Sequence, residues 1–123
     1  MFQFRKIILP THFRVDLNIG GTHKITTSKQ TLTSVKDSSL AAMFSGRYPL
    51  SKHNGRVFID RDGEAFCLML SFLRTSKVPL FNTQAQEHAF YDELDYWMVP
   101  TQHGAITGIG FGGIDIGDMN VKN

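Results

Sequence analysis

The chain has 123 residues, 41% of them hydrophobic and 20% charged, which suits a single folded domain with one modest core. A formal net charge of +2 is too small to argue for nucleic-acid binding, and the lone Cys67 excludes an intramolecular disulfide and points to a reducing compartment. The longest apolar patch near the start, Ile7 to Leu9, is too short for a secretory core or a membrane span, so the reading is a cytoplasmic protein with no membrane partner.

In chain order, Val15, Leu17 and Ile19 alternate with Asp16 and Asn18, the period of a half-buried strand. Gly20-Gly21 turns the chain into a second strand, Thr22 to Thr27. Ser28 caps a short helical turn through Leu32. Asp37, Ser38 and Ser39 are N-cap residues ahead of Leu40 to Phe44, a short helix that Gly46 is positioned to end. Tyr48 to Asn54 reads as a loop, and Asn54-Gly55 as a tight turn.

Arg56 to Asp60 reads as a short buried strand with Phe58 in the core. Asp62 then caps a helix, and Glu64 suits its positive end. From Phe66 to Leu73 nearly every residue is apolar, so this helix is central and buries Phe66, Leu70 and Leu73. After the extended Val78-Pro79-Leu80, a last helix runs from Thr83 to Trp97 with Ala85, Ala89, Phe90, Leu94 and Trp97 on one face; Leu94 and Trp97 are assigned to the core. The resulting division is an extension over 1–12, a domain over 13–100 and a flexible tail over 101–123. Residues 104–123 hold six of the eleven glycines.

Charge is segregated. Residues 1–77 carry twelve Lys/Arg and five Asp/Glu, whereas 78–103 carry no Lys/Arg and four carboxylates, Glu87, Asp92, Glu93 and Asp95. A basic front and an acidic rear would make complementary faces; the alternative is that exposed charges simply sit where the chain leaves them.

Catalytic and cofactor signals are weak. Gly108-x-Gly110-x-x-Gly113 has the glycine spacing of a dinucleotide loop, but too few residues follow for the required helix. Asp60-Arg61-Asp62-Gly63 has the opening of a calcium loop, yet Ser71 occupies the position that needs a glutamate. The histidines at 12, 23, 53, 88 and 103 are not paired at metal spacing. No catalytic residue, metal or cofactor is assigned.

Four blocks, in order, carry a family resemblance: Leu17-Asn18-Ile19-Gly20-Gly21-Thr22-His23; Ser39-Leu40-Ala41-Ala42-Met43-Phe44-Ser45-Gly46-Arg47; Gly55 through Phe66, continuing to Leu70-Ser71-Phe72-Leu73-Arg74; and Glu93-Leu94-Asp95-Tyr96-Trp97. From Phe13 to Val99 the chain resembles the BTB/POZ domain of the potassium-channel tetramerisation type, nearest to the soluble KCTD proteins. The resemblance implies an α/β (α+β) fold, with a small sheet at one side of a helical cluster. It also implies head-to-tail homo-oligomeric rings, tetramers or pentamers, with polar interfaces, and cullin-3 as a partner in ubiquitin-ligase adaptors. The alternative it implies is an assembly or regulatory domain that joins related BTB proteins or channel-type subunits without ligase function. By the same resemblance, Asp60, Arg61 and Asp62 fall near the subunit interface, with Arg61 free to face a neighbour.

Overall fold

The computed structural model describes residues 13–47 and 49–101. The elements are β1 (Arg14–Ile19), β2 (His23–Ser28), α1 (Lys29–Leu32), α2 (Ser39–Met43), β3 (Lys52–His53), β4 (Arg56–Ile59), α3 (Gly63–Thr75) and α4 (Gln84–Tyr96). The N-terminal extension, the glycine-rich tail and its Gly108–Gly113 spacing lie outside the described residues.

The strands form one mixed sheet in the order β2-β1-β4-β3. β1 pairs antiparallel with β2 through Gly20-Gly21, and parallel with β4, with Leu17 opposite Val57 and Ile19 opposite Ile59. A parallel neighbour requires a crossover, which the segment holding α1 and α2 provides. Gly20 is required twice over. Its φ is +62°, and a Cβ there would stand 2.6 Å from the Arg61 carbonyl oxygen. Its N–H donates to the Ile59 carbonyl at 2.7 Å, so the β1–β2 turn and the end of β4 are stitched together.

Side-chain alternation gives the sheet two unlike faces. Leu17, Ile19, Val57 and Ile59 are buried beneath the helices. Phe58 stands on the other face and is 49% exposed, contrary to its assignment to the core. The reason is the strand period: with Val57 and Ile59 turned inward, the residue between them points out. The stretch read as a loop before Asn54 contains β3, which pairs with β4 across a hairpin whose turn residues Asn54 and Gly55 have φ of 54° and 78°. Both positive values are the geometry that favours Asn-Gly in a two-residue turn.

Each helix starts on a side-chain cap. Ser28, Ser38, Asp62 and Thr83 accept from the N–H groups of Thr31, Ala41, Ala65 and Gln86. α2 closes on Phe44, with Gly46 two residues beyond at φ +92°. α3 buries Phe66, Met69, Leu70 and Phe72, while Leu73 is half-buried against the core. α4 packs on α3 through edge-on aromatic pairs, Phe66 with Trp97 at 6.0 Å and Phe72 with Phe90 at 5.9 Å between ring centroids. Its buried face is Phe90, Glu93 and Leu94, continued by Trp97; Ala85, a turn too early, is exposed. Ser39 donates from both its N–H and its hydroxyl to the Trp97 carbonyl at 2.9 Å, which ties the start of α2 to the end of α4.

Candidate interaction surfaces

The hinge between β4 and α3 is built from Asp60, Arg61 and Asp62. Asp60 is exposed. Asp62, in extended conformation, turns its carboxylate back to accept from the Ala65 N–H at 2.9 Å, and Glu64 adds negative charge in the first turn of α3.

Arg61 behaves differently from the expectation that it is free to face a neighbour. Its Nε and Nη2 donate to Glu93 Oε2 and Oε1 at 3.2 and 2.9 Å. Its guanidinium carbon lies 3.7 Å from the centroid of the Tyr96 ring. The physical cause is Glu93, which is 2% exposed on the core side of α4 and requires a counter-charge there. The Trp97 indole N–H completes the set by donating to Glu93 Oε2 at 2.9 Å. The hydrogen bond to Glu93, opposed by partial burial, raises the already high guanidinium pKa, so Arg61 stays charged. Glu93 thus leaves the acidic rear of the surface and becomes a structural group. The spacing Glu93-x-x-x-Trp97, one helical turn, is the sequence signal that joins it to the buried face.

The outer face of the sheet is cationic with an aromatic centre. Arg14, Asp16 and Asn18 of β1, Lys24 and Thr26 of β2, and Arg56 and Phe58 of β4 share it by strand register. The Thr26 hydroxyl donates to Asp16 Oδ1 at 2.7 Å, and Arg14 lies 3.7 Å from Asp16 Oδ2. The hydroxyl contact chiefly, with Arg14, Arg56 and Lys52 adding attraction, holds the Asp16 carboxyl below the usual range. Arg56 Nη1 donates to the carbonyls of Leu17 and Ile25 at 3.1 and 3.2 Å, which fixes that cation across three strands. Asn18, opposite Phe58, has a shielded Oδ1 that accepts no hydrogen bond, the one such side-chain atom among the described residues.

The outer face of α4 is anionic. Ala85, His88, Asp92 and Asp95 follow one another along the solvent side, flanked by the exposed rings of Tyr91 and Tyr96. In α3, half-buried Cys67 has its thiol pKa raised by burial, with Arg74 opposing.

A small mixed sheet backed by short capped helices, with charge sorted onto separate surfaces, defines an α+β domain. The family model described as BTB/POZ domain matches residues 15–106, and the chain belongs to that family, in its potassium-channel tetramerisation type. It is similar to BTB/POZ domain-containing protein KCTD21 of Mus musculus and of Homo sapiens, 44% identical to each over 86 residues, which cover 69% of this chain and 33% of each relative. The chain therefore spans about a third of the length of the curated relatives it matches. No helix among the described residues is long and apolar enough to cross a membrane.

Proposed function

We propose that the domain is a homo-oligomeric protein-interaction module that closes head to tail into a ring, a tetramer or pentamer. The observation that supports it most is the BTB/POZ match of the tetramerisation type, running from β1 past the end of α4. A heterologous interface joins two different patches and closes when its rotation closes, and this chain carries two unlike charged faces. In this reading residues 13–100 form the interaction unit, with 1–12 and 101–123 as appended segments. The module works in the cytoplasm, where a single thiol stays reduced. Asp60 and Asp62 lie near the subunit contact; Arg61 serves it indirectly, by anchoring the hinge to Glu93.

The finer reading is that the ring presents cullin-3 with a binding surface, as an adaptor of a ubiquitin ligase. A second reading is co-assembly with a related BTB chain, which the 44% identity to the KCTD21 domain favours because it extends over 86 residues. Native mass spectrometry at micromolar concentration tests the ring, which is expected at an integral multiple of the subunit mass; a strict monomer overturns it. Capture assays with the cullin-3 N-terminal domain and with the KCTD21 BTB domain separate the two finer readings. Retention of the first supports the adaptor, and retention of the second alone supports the co-assembling regulator.

A further inference from the structure

We infer that the tail of this chain adds a fifth strand to its own sheet, with residues 114–118 lying parallel to residues 23–27 along the open edge of β2. The contact is made within one subunit and does not depend on the ring.

β2 ends the sheet, and among the described residues no strand pairs with its far side. Gly20 donates its N–H to Ile59 of β4, so the even-numbered residues of β1 turn their backbone groups toward β4. The odd ones, Val15, Leu17 and Ile19, then carry the ladder to their partners on β2, Thr27, Ile25 and His23. The residues between those partners, Lys24 and Thr26, are exposed and turn their N–H and C=O groups away from β1. Such an edge is a template for strand addition. Its inner flank is α3. Gly63 lies against the His23 ring at one end of β2, and Arg74 donates to Thr27 Oγ1 at 3.3 Å at the other. Between these ends Ile25 packs against the core yet is only half-buried.

The tail fits this edge in period, charge and reach. Ile114 and Ile116 alternate with Asp115, the period of a strand with one apolar side. With Ile116 beside Ile25, Asp115 falls beside Lys24 on the outer side, and Asp118 falls beside Thr27, where Arg74 stands. In that register the Lys24 and Thr26 N–H groups donate to the carbonyls of Ile114 and Ile116. Lys24 disfavours a second β2 in the same place, because two such edges would set two Lys24 side chains on one short ladder. Reach follows from the hinge. Glu93, in the last turn of α4, is held by Arg61, whose carbonyl oxygen abuts Gly20, so α4 ends beside the turn that opens β2. From there residues 102–113 extend up to about 40 Å, twice the roughly 20 Å length of β2. The tail thus arrives at the His23 end and runs parallel to β2.

Amide hydrogen exchange of Lys24 and Thr26 in the full chain tests the contact. Both amides are expected to exchange at least about tenfold more slowly in the wild type than in I114S/I116S, which removes the apolar side of the added strand. K24E is expected to lose protection at Thr26 in the same way, and K24E/D115K to regain it, because the reversed pair attracts again. Thermal unfolding checks that each variant keeps its fold. Should a variant not fold, zero-length carbodiimide coupling of the wild type reads the same register. A peptide joining Lys24 to Asp115 is expected in the band of single-subunit mass. Equal exchange of both amides in the wild type and I114S/I116S, or a wild type without that cross-link, overturns the added strand. A Lys24–Asp115 peptide found only in bands of two or more subunits assigns the edge to a neighbour's tail and overturns the contact within one chain. None of these readings requires the ring, so a monomeric wild type overturns the ring and leaves the added strand standing.

Discussion

Arg61 grips Glu93 through two hydrogen bonds, 3.2 and 2.9 Å long, and thereby fastens the hinge between β4 and α3 to the last turn of α4. Glu93 is nearly inaccessible while the Arg61 side chain keeps 28% of its surface. Removing the arginine therefore strands a buried charge with only the Trp97 N–H for company. Breaking one partner of a fully buried pair costs about 3–5 kcal/mol, and water reaching the partly open site brings the expected loss for Arg61→Ala to about 2–3 kcal/mol. Arg61→Lys is expected to recover only part of it, since a lysine cannot offer the paired donors. The double variant R61M/E93Q is expected to regain most of it. Urea unfolding of the three variants checks the order. Equal stability for R61A and wild type would remove the pair from the account of the fold.

Much of this architecture was legible from residue order, and the misses share a cause. The alternation Val15-Leu17-Ile19, the caps Ser28 and Asp62 and the apolar run of α3 are local signals, and local physics settles them. Phe58 reads as core because a short apolar strand looks buried on both sides; only the parallel pairing that turns Val57 and Ile59 inward shows which side is open. Arg61 and Glu93 are 32 residues apart, and nothing local links them. A glutamate among acids reads as surface until the packing of Trp97 draws its helix face inward. β3, two residues long, has no period to detect and exists through the Asn54-Gly55 turn.

Gly63 is expected to tolerate no side chain while His23 is present. A Cβ there would run into the His23 imidazole, so the first residue of β2 packs directly on the first residue of α3. Gly63→Ala is expected to destabilise the domain by about 1–3 kcal/mol, the usual cost of overpacking. The obstacle is a side chain rather than backbone, so H23A/G63A is expected to be nearly as stable as H23A alone. A double-mutant cycle from chemical denaturation reads the coupling. Additive losses would mean that the clash is not with the imidazole.

Asp16 is expected to titrate below an ordinary aspartate. The Thr26 hydroxyl bond is the main cause, followed by the neighbouring cations. A carboxyl whose pKa is lower in the folded state binds its proton more weakly there than in the unfolded chain. Its contribution to stability is therefore present above the unfolded pKa and is lost as the pH falls through the folded one. Carbon-detected NMR titration of Asp16 gives the midpoint directly. Thr26→Val is expected to move it up toward the ordinary value, and an unmoved midpoint would shift the cause to Arg14 and Arg56.

Phe66 and Phe58 are the same residue type eight positions apart, and they are expected to fail differently. Phe66 is fully buried between α3 and α4, edge-on to Trp97, so Phe66→Ala leaves a cavity and is expected to cost about 3–5 kcal/mol of folding stability. Phe58 sits half exposed on the outer sheet face, and Phe58→Ser in the isolated subunit is expected to change stability by no more than about 0.5–1 kcal/mol. Its effect should appear in assembly instead. The variant is expected to keep the wild-type unfolding curve under dissociating conditions, while its oligomer falls apart at a subunit concentration that preserves the wild type. A concentration series by sedimentation, run beside denaturant unfolding of the monomer, separates these two quantities. A large stability loss with unchanged assembly would mean that Phe58 serves the sheet rather than the neighbouring copy.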